Sequence, residues 1–270
     1  ALIASCLFTG SPTRNTGLAS VQASFTPSAL AERSKTMKYL SIGSNAKTIK
    51  SDKGGEYLTA IMYMAPADTV DGINVCPTAE LAGCKNACLY KAGMGSFSNV
   101  QKARMAKTIA FRDNQLAFVD QLADDIRKGL KKAAKNGVEL AVRLNGTSDI
   151  AWENQKGSNG LSLMDTFPDT QFYDYTKLPN RKVPANYHLT VSYSEANLAY
   201  ASKANRTPHN LAVVFRKNLP EFFLGRKVVN GDKDDLRFLD LANVVVGLIA
   251  KGPAKKDTTG FVIDGYAGII

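Results

Sequence analysis

The chain has 270 residues, 44% of them hydrophobic, a formal net charge of +10 and a pI near 9.4. That is enough apolar content for a well-buried core in one large domain. Four cysteines are too few for a disulfide-dense secreted scaffold, and no apolar run approaches the roughly 20 residues needed to span a bilayer. The basic balance speaks to partners rather than fold: it suits a surface that attracts phosphate, and equally an ordinary protein with Lys-rich helix faces.

Residues 1–36 are rich in Ser, Ala and Thr and show neither strand nor helix periodicity, so they are expected to be a disordered tail. Their opening apolar run has no basic leader and is a poor secretory signal. Met37 reads as a natural start, which would make the tail an extension and Cys6 incidental. Residues 37–270 then form a single β/α domain. Residues 41–48 are a polar stretch that could meet an anion through its backbone but lacks the G-x-x-x-x-G-K-[ST] spacing of a phosphate loop. Residues 57–64, apolar and flanked by Gly54, Gly55 and Pro66, predict a buried strand.

Directly after that strand comes the densest chemical signal in the chain. Cys76, Cys84 and Cys88 fall within thirteen residues, spaced C-x7-C-x3-C, in a loop at 76–90. Thiolates are soft ligands that favour zinc, copper(I) and iron–sulfur clusters over hard cations. Crowded cysteines of this kind point to metal in a reducing compartment, hence a cytoplasmic protein. Cysteine nucleophile chemistry needs only one thiol with a lowered pKa. A structural zinc site wants four donors, and only His188 and His209 are available to complete a Cys3His set.

Residues 98–134 carry one helical stripe, with Leu116, Val119, Leu122, Ala123, Ile126 and Leu130 recurring every three or four residues. The cations Arg127, Lys128, Lys131, Lys132 and Lys135 gather toward its end, where they also complement the helix dipole, and Asn136-Gly137 supplies the stop. Strands are then expected at 139–144, 171–175, 188–193, 211–215, 227–229 and 244–249, with helices between, notably at 195–204 and 220–224. Such alternation argues for parallel β/α packing, either an incomplete (β/α)6-type barrel or an open parallel sheet. The acidic run at 229–240 lacks the EF-hand spacing and reads as a turn with a short capped helix. Residues 252–257 read as a basic surface turn.

Parallel sheets place ligands at the carboxyl ends of their strands. By that rule Asn145, Gly146 and Asp149, which follow the strand at 139–144, are candidate cofactor-binding residues, together with Ser192, Glu195 and, beside the third cysteine, Tyr90. No catalytic triad, H-E-x-x-H or dinucleotide fingerprint is present.

Three cysteines in the loop after the first strand of a six-stranded β/α chain resemble the arrangement of radical S-adenosylmethionine enzymes, whose usual spacing is C-x3-C-x2-C. The resemblance implies a 4Fe-4S cluster on Cys76, Cys84 and Cys88, with one iron left free to take the amino and carboxylate groups of S-adenosylmethionine. A closer resemblance is to the uncharacterised phage gene product 88 domain. It rests on Cys76-Pro77, Cys84, Cys88 with Tyr90, Arg143-Leu144-Asn145-Gly146, Asn230-Gly231-Asp232 with Arg237-Phe238, and Val246-Gly247-Leu248. This implies a bacteriophage or prophage origin and a bacterial host, and brings no established activity. The alternative to a metal-cluster enzyme is a nucleic-acid-binding phage protein with a structural zinc, using the basic helix end and residues 251–256 on phosphates. Neither oligomeric state nor substrate is legible.

Overall fold

The structure is a computed structural model and describes residues 37–43 and 55–264. The expected disordered tail, and most of the polar stretch at 41–48, lie outside the described residues.

β1 (Leu40–Ile42) pairs antiparallel with β2 (Tyr57–Met62). After the cysteine loop come α1 (Ser98–Asp113) and α2 (Gln115–Lys135). The single predicted helix is therefore two. Asn114 leaves the helical region, with φ −154° and ψ 90°, and its side chain accepts the Ala117 N–H at 3.0 Å, the N-cap role that short polar side chains favour. The buried stripe on α2 is as expected except for Leu116, which is exposed because it falls in the first turn.

β3 (Glu139–Arg143), α3 (Leu163–Thr166), β4 (Gln171–Thr176), β5 (Tyr187–Ser192), α4 (Leu198–Asn205) and β6 (Asn210–Phe215) follow. The helix predicted at 220–224 is instead half of a hairpin, β7 (Phe222–Phe223) and β8 (Arg226–Asn230). Leu224 and Gly225 both have positive φ, 50° and 72°, the backbone that a two-residue turn between twisted strands requires. β9 (Val244–Ile249) and β10 (Val262–Ile263) complete the chain.

All ten strands among the described residues share one sheet, ordered β1-β2-β3-β4-β5-β6-β9-β8-β7, with β10 on β6. Pairings from β2 through β6 to β9 and β8 are parallel. The path ends at β1 and β7 without closing, so the sheet is open and the fold is mixed α/β. β5 accompanies β6 only as far as Ser192 opposite Ala212, and β10 takes up the same side of β6 at Val214 and Phe215.

Consecutive parallel neighbours linked by right-handed crossovers send their connecting helices to the same side, and the period of two along each strand shows the result. Leu58, Ala60, Met62, Leu140, Val142, Phe172 and Leu189 face the helices and join Phe118, Leu122 and Ile126 of α2 in the main core. Tyr57, Ala141 and Tyr173 face the other way and meet Leu236 and Phe238. The segment around a 3-10 turn, Arg237–Leu239, thus crosses the inner face of the sheet. Asp125 of α2 ties the edge strand to this core by accepting the Tyr39 N–H at 2.7 Å and that of Leu40 at 3.3 Å.

Candidate functional site: a thiol-lined cavity at the strand ends

The carboxyl ends of β3, β4, β5, β8 and β9 and the inner face of β6 bound a cavity of about 410 Å³. Cys76, Cys84 and Cys88 all line it, each partly buried with a free thiol. Their loop is held by turns of its own: the Ala79 carbonyl accepts the N–H groups of Cys84 at 3.0 Å and Lys85 at 3.3 Å. It is docked from outside by Ser194, whose hydroxyl donates to the Ala82 carbonyl at 2.8 Å. Gly83, at φ 67°, makes the docking possible. A Cβ there would fall 2.5 Å from Thr259 Oγ1 and 2.8 Å from Ala196 Cβ, so only glycine fits the turn and the close approach together.

The thiols have weak partners. Cys76 Sγ donates to the Thr147 carbonyl and Cys84 Sγ to that of Ala79, both at 3.6 Å, while Cys88 Sγ accepts the Tyr90 N–H at 3.5 Å. Burial pushes the Cys76 thiol up to about 12, with Asp149 and Cys88 adding to the rise. Burial also raises Cys88, and nearby Cys84 raises it further. Both are therefore neutral thiols at neutral pH, so neither of these two is poised as a lone nucleophile. A bound metal would remove those protons, since its charge makes the coordinating sulfur a thiolate.

Lys177 stands among them. It is the first residue past β4, and its Nζ donates to Ser192 Oγ at 3.2 Å and lies 5.5 Å from the Phe261 ring centroid. Burial would lower the ammonium, but Cys84, Tyr200, Asp149 and Cys76 together hold it above the usual lysine range. Lys177 is a cation at neutral pH.

On the β3 side the polar groups are engaged with one another. Asn145 Oδ1 accepts from Ser148 Oγ at 2.8 Å, the Ile150 N–H at 3.0 Å and Trp152 Nε1 at 3.1 Å. Asn145 Nδ2 donates to the Ile150 carbonyl and to Asp174 Oδ2, and its backbone N–H donates to Asp174 Oδ1 at 2.7 Å. Asp174 also accepts from Tyr187 Oη, and burial raises its carboxyl to about 7. Asp149 accepts from Thr176 Oγ1 and the Lys177 N–H, both at 2.7 Å, and lies 3.7 Å from Arg181. Arg143 Nη1 reaches both oxygens of Asp235, at 2.9 and 2.7 Å, across the inner face. Gly146 sits under the Met62 carbonyl, which accepts its N–H at 3.0 Å and would collide with any Cβ.

Of the candidates read from the sequence, Cys76, Cys84, Cys88, Asn145, Gly146, Asp149 and Ser192 are brought together around this one cavity. Tyr90 and Glu195 do not line it. The Tyr90 ring packs with Ala65 and Val70 under the Arg104 guanidinium, and the Glu195 N–H donates to the Gly260 carbonyl. Asn145 and Asp149 are at the mouth, but their polar atoms shape the loop. Sequence reasoning missed Lys177, Arg143, Asp235 and Phe261 as cavity residues. Asking which side chain follows each strand would have found Lys177.

His188 and His209 lie away from the cavity lining, and burial lowers both, His188 to about 4. Among the described residues, no three His, Cys, Asp or Glu side chains converge closely enough to share one metal ion. A tetrahedral zinc would draw its thiolates to about 3.8 Å from one another. Cys76, Cys84 and Cys88 open on the same cavity, a soft donor set of the kind that zinc or an iron–sulfur cluster takes.

The class defined by these features is an open-sheet α/β protein with a ligand-sized cavity at the carboxyl ends of its strands. The family described as Gene product 88 matches residues 35–265, and the chain belongs to that family. No curated protein and no solved structure matches it significantly. Among the described residues, no helix is long and apolar enough to cross a membrane.

Proposed function

We propose that the chain is a metal-cluster enzyme acting on a small molecule in this cavity, with Cys76, Cys84 and Cys88 holding a 4Fe-4S cluster in the manner of radical S-adenosylmethionine enzymes. The observation that carries the reading is that three cysteines separated in sequence open on one cavity at the strand ends. When bound, such a cluster supplies an electron and an open iron for S-adenosylmethionine. The chain's own residues do the rest. The apolar part of the wall receives the ligand's body, Lys177 and Ser192 offer charge and a hydroxyl to it, and the Asn145 and Asp149 networks hold the rim.

Anaerobic reconstitution with iron and sulfide tests this. A brown protein with about four irons per chain supports it; a colourless protein retaining one zinc contradicts it.

The second reading, nucleic-acid binding with a structural zinc, has the net charge of +10 in its favour. Against it, several of the relevant cations are engaged: Arg127 with Asp124, Lys128 with Asp125, Lys132 with the Ile42 carbonyl and Lys251 with Asp232. A DNA mobility shift that weakens steeply with salt would favour it.

A further inference from the structure

The charges on the cavity wall are matched with one exception. Arg143 is bonded to Asp235, Lys251 to Asp232 at 2.5 Å, and Asp234 to Arg237 at 2.5 Å. Asp149 is engaged by Thr176, the Lys177 backbone and Arg181. The Lys177 ammonium has no carboxylate within ion-pair distance among the described residues; its partners are the Ser192 hydroxyl and the Phe261 ring face. An ammonium has three donors to satisfy. One is spent on Ser192, and this half-buried ammonium lines the cavity, so its remaining donors are available to an anionic ligand there.

The rest of the wall says what kind of anion. Ala87, Leu89, Ala212, Val214, Leu248 and Ala254 make much of it apolar. One ammonium and one hydroxyl match the charge and acceptors of a single carboxylate. A phosphate dianion favours a guanidinium fork or a row of backbone N–H groups, and the guanidinium among the cavity-lining residues, that of Arg143, is already on Asp235.

We infer that the cavity binds an organic monocarboxylate, its carboxylate on Lys177 and Ser192 and its apolar body against β6 and β9. The inference rests on the cavity being the substrate site and does not require the metal.

Binding is measured by ligand-observed NMR on the full chain, prepared metal-free and again after iron–sulfide reconstitution, with hexanoate, hexanamide and inorganic phosphate as probes. Hexanoate should bind at least about tenfold more tightly than hexanamide, the value of a charge-assisted hydrogen bond, and phosphate should not displace it. Lys177→Met, close in volume, should abolish the preference while leaving hexanamide binding in place, and Ser192→Ala should reduce it a few-fold. Should Lys177→Met fail to fold, Lys177→Gln serves in its place. Equal affinity for the two probes, displacement by phosphate, or an undiminished preference in the Lys177 variant would overturn the inference. So would a preference that disappears on cluster loading, because Lys177 would then be the counter-ion of the cluster. A Lys177-dependent preference in a chain that takes up no iron leaves the carboxylate site standing and removes the metal reading.

Discussion

The loops that begin at Cys76 and at Asn145 both reach the same cavity, and both look functional by residue type, yet they differ in where their polar capacity goes. In the second segment Asn145 and Asp149 are engaged by groups of the fold itself, and Trp152 is buried in the main core among Phe111 and Phe118. In the first, the three sulfurs have only long contacts of 3.5 to 3.6 Å with the backbone. The difference separates a frame from a site. A polar residue at a strand end marks ligand binding when its donors and acceptors are still available, and marks scaffolding when they are satisfied internally.

If that distinction is right, the frame should break hard and the site softly. Asn145→Ala should cost about 4 kcal/mol in urea unfolding, since it orphans several buried donors and acceptors at once; a cost below about 1 kcal/mol would mean the loop does not depend on it. Arg143→Leu should cost about 3 kcal/mol by removing the guanidinium that neutralises the buried Asp235 carboxylate, and Arg143→Leu with Asp235→Leu should recover most of that. A double variant no better than the single would show that the pair acts through other contacts.

Asp174 gives the frame a pH signature. Its folded carboxyl, near 7, lies above its ordinary 3.8, so between those values the folded chain keeps a proton that the unfolded chain has released. Its contribution to stability is full below about pH 4 and declines as pH rises to about 7. Asp174→Asn should remove that decline, read as a flatter stability profile between pH 4 and 7. An unchanged slope would assign it to other groups.

The cysteines should sit at the bottom of this scale. In the metal-free chain, Cys76→Ala, Cys84→Ala and Cys88→Ala should each shift stability by about 1 kcal/mol or less, because a partly exposed thiol with weak contacts contributes little. A larger loss on melting would make them part of the frame.

Much of the fold was legible because local pattern and tertiary role agree. The strands at 57–62, 139–143, 171–176 and 244–249 are apolar runs that end up buried in a parallel sheet. What was not legible depends on distant contacts or on backbone sign. The stripe on α2 runs in phase with α1, so the break at Asn114 shows only in capping. The Phe222–Phe223 hairpin turns on positive φ at Leu224, a residue type that rarely adopts it. Periodicity does not reveal that residues 236–238 would cross the inner face. At the cavity, the cysteine cluster announced itself by spacing, whereas Lys177 is one lysine among many until β4 is seen to end beside Ser192. Glu195 illustrates the opposite error, a charged residue just past a strand that the chain turns away from the cavity.

The most direct measurement is the iron and acid-labile sulfide content of the full chain after anaerobic reconstitution, compared with the Cys76→Ala, Cys84→Ala, Cys88→Ala triple variant at equal folded yield. The account predicts about four irons with matching sulfide in the wild type and none in the variant. Iron and sulfide absent from both, or present equally in both, would contradict it.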